Sequence, residues 1–447
     1  MPLLSTLNCS LPLELTDFII DILGAEWRNS VKNESTRDAL MNCMLASRAF
    51  CIRARKHLFR RIATEVEKIT PSDLELFNDA PPGMAPPISF VRKIRVTFSF
   101  MSPFSRSELS QAKIEDQEDD LNLRLTHFES LLEKVAPRLE SLWFEVDKYD
   151  YLPSANRKFI QTICSSASIT SLTFCAMFDF PMDAVSHCVN LTKLLLLNVF
   201  PKRSTSWCTD GFCKLEIFHM DCKGSSVPIF PPEAFENERA FTKVKDLRFC
   251  MFPTMNGPLL EFEILHRSKN ILQTLCINTY PLQRNETDEE LDMRGTVNIS
   301  DLPNLRSLTV ATIVKRNDPF TKRFRSMFLE QPSPNKISTL TLYIQFDFSV
   351  SQYPWHPIPL EGDWTALDEL LSDRNIYRRL QYFDTDFTIH VFQRPEDFLR
   401  GDDGMYNYSR ETQEFLDDFA STIFPKVKEC SAVAFKCKTD IRHPKFY

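Results

Sequence analysis

The chain has 447 residues, 43% of them apolar and 25% charged, the balance of a folded protein too long for one ordinary core unless it is a repeat array. A formal net charge of −7 excludes a general nucleic-acid surface, which needs a basic footprint, though not a small local patch. No run of about 18 apolar residues is present to span a membrane, and only nine glycines, no two adjacent, leave no GxGxxG or P-loop to cradle a phosphate.

The opening MPLLSTLNCSLPLEL lacks a cationic start and carries Glu14 inside its apolar stretch, which does not match a signal peptide. Pro12 and Glu14 predict a helix start, because proline suits the first helical position and a carboxylate suits the positive end of the dipole. Leu15, Phe18, Ile19, Ile22 and Leu23 then recur at helical spacing, while Leu13 and Ile20 fall on another side. After a polar loop at 24–38, a second run holds Leu40, Cys43, Met44, Leu45 and Phe50, and Leu58, Phe59 and Ile62 are expected on a third short helix. About fifty residues cannot hide that much apolar surface alone. Either the block docks on the next domain or it meets another protein.

The proline-rich stretch 71–89 reads as a stiff, extended linker or cap. The polar segment 99–120 ends in an acidic run and reads as a solvated loop. From about residue 90 a phrase recurs: an apolar residue, two others, Leu or an equivalent, then strand-like alternation. It starts at Val91, Leu139, Ile169, Leu191, Val244, Leu272, Leu305 and Ile337, with looser versions near 215 and 380 and a last candidate at 427. The clearer copies between 139 and 337 are spaced roughly 22 to 33 residues apart, the range of leucine-rich repeats, apart from the gap between 191 and 244. Helical character lies between them, at 125–137, 156–166, 234–244, 257–270, 320–334, 364–380 and 409–424. The expected fold class is therefore α/β, an irregular solenoid with parallel strands on the concave side and helices outside.

Catalytic groupings are absent from the pattern. Eight dispersed histidines form no HExxH, and no Gly-x-Ser-x-Gly offers a nucleophile. CTDGFC (208–213) with HMDC (219–222) matches no common zinc spacing, so no metal, cofactor or catalytic residue is expected. Thirteen cysteines without regular spacing suggest reduced thiols of a cytosolic or nuclear protein. If the strands line a concave sheet, Trp143, Glu145, Thr173, Leu195, Leu197, Arg248, Asn278, Thr309, Thr341 and Tyr343 fall on its open face. Of these, Trp143, Leu195, Leu197, Arg248 and Tyr343 have the composition of a protein-binding surface.

LPLELTDFIIDIL followed by ALMNCMLASRAFCIRARKHLF resembles the F-box, in the form common among fungal F-box-like proteins. The matching positions are Leu11, Pro12, Glu14, Leu15, Ile19, Ile20 and Leu23, then Leu40, Cys43, Leu45, Ser47, Arg48 and Phe50, with Leu58 and Phe59 closing the block. The resemblance implies a non-enzymatic subunit in which residues 8–65 bind the Skp adaptor, and through it cullin and RING subunits, of an SCF-type ubiquitin ligase. Leu11, Pro12, Glu14, Leu15, Ile19, Ile20, Leu23, Leu40, Leu45 and Phe50 would make that contact. A linker or cap at 66–90 and a repeat domain at 91–447 follow, the latter capturing a protein substrate. The alternative is an interaction scaffold with the same folds and no ligase role. Two features depart from the family pattern: the polar stretch 24–38 is long, and the asparagine that usually follows each strand is replaced, for example by Met177 and Val199.

Overall fold

A computed structural model describes residues 13–29, 34–46, 48–65, 70–80, 83–98, 126–146, 160–177, 182–199, 210–221, 232–251, 260–279, 299–314, 335–349, 363–392 and 422–442, with a few isolated positions between them. The chain divides into two compact units, Met1–Leu191 with Pro201–Ser206, and Thr192–Phe200 with Trp207–Tyr447. Both are α/β, and every described strand pairing is parallel. Among the described residues no helix is long and apolar enough to cross a membrane.

The first unit begins with three helices, α1 (Leu13–Asn29), α2 (Glu34–Ala46) and α3 (Arg48–Leu58). Glu14 and Glu34 stand in first turns, and Arg55, Lys56 and His57 close α3, each with the sign that the helix dipole favours. Their core is small: Ile20, Leu40 and Ala54 are buried, with Leu23, Trp27, Cys43, Met44, Phe50 and Leu58 packed around them. The helical block stops sooner than the pattern suggested. Ile62 is not helical but lies in β1 (Arg61–Glu65), where β-branched and alternating residues pair with the next strand. Within the proline-rich stretch, Pro71–Asn78 is a helix and Pro87–Phe90 a 3-10 turn, so this segment is not simply extended.

The remaining strands of this unit are β2 (Lys93–Phe98), β3 (Ser141–Val146) and β4 (Ser171–Cys175), in the order β1–β2–β3–β4, with helical residues at 126–135, at 160–164 and at Met182–Ser186. One joint recurs at each strand. The apolar anchor (Val91, Leu139 or Ile169) is buried and donates its N–H to the carbonyl three residues back. The next two N–H groups then converge on one carbonyl of the preceding repeat, as Glu140 and Ser141 do on Arg92. Three and five residues past each anchor the side chain is buried, as Ile94 and Val96, Leu142 and Phe144, and Leu172 and Phe174 show. A unit of this kind cannot cover its apolar edge alone, so stacking supplies the core.

The second unit repeats the joint through β5 (Lys193–Leu197), β6 (Ile217–Asp221), β7 (Asp246–Met251), β8 (Thr274–Thr279), β9 (Ser307–Val314), β10 (Thr339–Ser349), β11 (Tyr382–Phe392) and β12 (Ala434–Arg442), paired in chain order. β6 and β11, which follow the looser phrases, sit in full register, anchored by buried Leu215 and Leu380. The last phrase is displaced: Val427 belongs to a short helix, Pro425–Glu429, and the strand starts only at Ala434. Asp368, buried in the helix Asp363–Ser372, accepts the N–H groups of Lys426 and Val427 at 2.9 Å and so caps that short helix from another repeat.

Residues 234–244 do not form the expected helix. A 3-10 turn at Pro232–Phe235 passes into turns, because Phe235 and Phe241 point into a cluster with Phe212, Phe218 and Phe230, and Phe241 takes a left-handed φ of 63°. Burying each such ring is worth about 1.5–3 kcal/mol, more than a turn of isolated helix returns. The helix expected from residue 257 is described at Leu260–Ser268, and the stretch 320–334 lies outside the described residues. Ala176 and Asn198, each one past its strand, take left-handed φ of 55°, which turns Met177 and Val199 into the core where leucine-rich repeats carry asparagine.

Candidate docking surfaces

At about 100° per residue, α1 carries two apolar faces. Thr16, Ile20, Leu23, Gly24 and Trp27 turn inward. Leu15, Phe18, Ile19 and Ile22 share the other face and are exposed, Phe18 by 62%. On α2, Met41 and Leu45 are one turn apart and point away from Leu40; Leu45 is 85% exposed. Ile52 on α3 is exposed as well. Of the residues that the F-box resemblance marks for the adaptor, Glu14, Leu15, Ile19 and Leu45 are therefore on the surface. Ile20 and Leu40 are not: both are sealed in the three-helix core and hold the block together from within. Leu23 and Phe50 are half-buried against that core, and Leu11 and Pro12 lie outside the described residues. Phe18, Ile22, Met41 and Ile52 complete the exposed set. Phe18 and Ile22 were visible in the helical spacing, whereas α2 and α3 gave no spacing signal for the others.

The orientation of α1 on α3 is set by a polar clasp. Asp21 accepts Nε of Arg53 at 3.0 Å and Nη2 at 2.5 Å, and meets Nε2 of His57 at 2.8 Å; Asp17 lies 3.5 Å from Arg53. The Arg53 guanidinium holds the Asp21 carboxyl down to about 2, against the effect of burial and with help from His57. Next to this contact, Gly24 lets the backbone of α1 approach His57: a Cβ there would stand 2.2 Å from the imidazole.

On the first unit's strands, Trp143 and Glu145 face outward between buried Leu142 and Phe144. Trp143 is already engaged. Its indole N–H donates to Glu145 at 3.1 Å, Arg95 sits 4.6 Å over its ring, and Arg95 also meets Glu145 at 2.8 Å. Thr173, expected on the open face, is buried directly across from Trp143.

On the second unit, parallel register lines up outward residues in rows, one residue per strand. One row runs Leu195, His219, Arg248, Cys276, Thr309, Thr341, Asp384 and Lys436. From β7 the next row runs Cys250, Asn278, Ala311, Tyr343, Asp386 and Lys438, with Leu197 and Asp221 paired at the same level on β5 and β6. Leu195 and Leu197 are half-buried, Arg248 is exposed, and Tyr343 is 47% exposed. The register thus groups four expected residues on one face, alongside partners that single-strand alternation did not single out: His219 bound to Asp246 at 2.9 Å, and the carboxylates Asp384 and Asp386.

The thiols on this face are poor nucleophiles. Burial pushes Cys276 up despite nearby Arg248, and Cys250 donates to Asp221 at 2.9 Å. In the first unit burial pushes Cys175 up to about 12. Among the described residues no three His, Cys, Asp or Glu side chains are placed to hold a metal ion. Cys208 and Cys213 are half-buried, and Cys222 lies outside the described residues. No family model and no curated protein matches the chain.

Proposed function

We propose that the protein is a substrate-recognition subunit of an SCF-type ubiquitin ligase, with an F-box in its first helices and an irregular leucine-rich-repeat domain after them. The exposed apolar face of α1 carries this reading: Leu15, Phe18, Ile19 and Ile22 stand in water although the three helices possess a second, buried apolar face of their own. Exposed side chains of this size on one helix face mark a partner's site. A helical partner such as the Skp adaptor would cover them, and the strand faces would hold the protein to be modified. The subunit contributes proximity in place of chemistry, raising the effective concentration of substrate near the ubiquitin-charged enzyme.

Co-purification of the full chain with the Skp adaptor and cullin tests this. Charged substitutions at Phe18 and Ile22 should abolish adaptor capture while the far-ultraviolet circular dichroism stays native. Retained capture would remove the α1 face from the interface, and no capture by the unaltered chain would leave an interaction scaffold with the same fold.

A further inference from the structure

We propose that the outward face of β7–β11 is a trough with oppositely charged banks, and that it takes a protein segment carrying a carboxylate and a cation about 19 Å apart, four inter-strand steps of about 4.8 Å. This rests on the reading of the repeat domain as the protein-capturing half, and adds to it the chemistry of what is captured.

One bank is Arg248, exposed on β7; it forms no ion pair among the described residues, and its neighbours in the row are His219 and the Cys276 thiol. Of the carboxylates around it, Asp246 holds His219 at 2.9 Å, and Asp221 accepts Cys250 at 2.9 Å. The other bank is Asp384 and Asp386 on β11. Asp384 is exposed and Asp386 half-buried; among the described residues neither forms an ion pair, and Asp386 accepts Thr388 at 3.2 Å. Between the banks the two rows read Cys276, Thr309, Thr341 and Asn278, Ala311, Tyr343. All are uncharged, and five of the six are small or short. Tyr343 is exposed directly beside Asp386, where its ring can take the same cation as the carboxylates. Lys436 and Lys438 follow on β12 in register with the two aspartates and set the outer limit of the acidic bank, since a cation placed farther out would meet like charge.

Separated charges of this kind fix the direction of a bound segment. Its carboxylate goes to β7 and its cation to β11, a span of about six residues if the segment is extended.

Binding of the full-length protein to an array of short alanine–serine peptides, each bearing one glutamate and one lysine at graded separations, tests the trough. Binding should peak at the separation that spans the banks. Arg248→Glu should weaken the best peptide about tenfold, and replacing that peptide's glutamate by lysine should restore binding to the variant, which a misfolded variant could not do. Equal binding at every separation, or an Arg248→Glu variant that binds like the parent, overturns the proposal. Adaptor co-purification is read in parallel: if it succeeds while the array shows no preference, the trough fails and the receptor reading stands. If it fails while the array responds, the trough stands as part of a scaffold.

Discussion

The carboxylate of Asp21 on α1 grips the guanidinium of Arg53 on α3 with both oxygens, at 3.0 Å and 2.5 Å. The bidentate geometry fixes the rotation of α1 about its own axis, which decides which of its two apolar faces is inward. Because the folded carboxyl sits near 2, below its ordinary value of 3.8, the clasp stabilises the block fully above that ordinary value and loses its contribution as pH falls towards 2. The protection of α1 amides against hydrogen exchange, relative to the unfolded chain at the same pH, should therefore fall between about pH 4 and pH 2 in the parent. In Asp21→Asn this acid-dependent part should vanish, leaving α1 less protected at neutral pH. An unchanged acid profile in the variant would assign the loss to other carboxylates.

Gly24 should not tolerate a side chain. Alanine there places a methyl against the His57 ring, and either α1 lifts or the imidazole leaves Asp21. Gly24→Ala should cost about 1–3 kcal/mol of the block's stability, as overpacking does. The small gain in helix propensity from alanine, up to about 1 kcal/mol, does not offset it. Denaturant dependence of amide hydrogen exchange in α1–α3 of the full chain measures the difference.

Leu40 and Leu45 lie in the same helix and should respond oppositely. Leu40→Ala empties part of the core and should cost about 2–5 kcal/mol. Leu45→Ala removes an exposed side chain and should stay within about 0.5 kcal/mol. If the two changes cost the same, α2 is turned differently from the orientation described.

Asp368 caps a helix 58 positions further along the chain through Lys426 and Val427. Asp368→Ala leaves those two N–H groups unsatisfied in a buried place and should cost about 1–3 kcal/mol. The loss should concentrate around that helix, so β12 amides should exchange faster while those of β7 and β8 are unchanged. Uniform acceleration across the second unit would mean that the cap supports more than the last repeat.

Much of the repeat architecture was legible in the residues. The anchors at Val91, Leu139, Ile169, Leu191, Val244, Leu272, Leu305 and Ile337 are buried where the phrase placed them, because an apolar residue followed at three and five by others defines a half-buried strand. The looser copies at 215 and 380 proved regular, since Phe218 and Phe383 fill the leucine position as well as leucine does. Thr173 and residues 234–244 were misread for one reason: packing against a neighbouring strand and within a phenylalanine cluster overrode local pattern.

By itself the chain's order of apolar and polar residues determined that this protein has a short helical block and a parallel α/β repeat, because periodicity and anchor spacing are local properties. Tertiary structure alone decided that Ile20 and Leu40 face inward while Leu15, Phe18, Ile19 and Ile22 do not, and that Arg248 and Asp384 stand in one row. Helix rotation and strand register are settled between elements, by contacts such as Asp21 with Arg53, and no single segment encodes them.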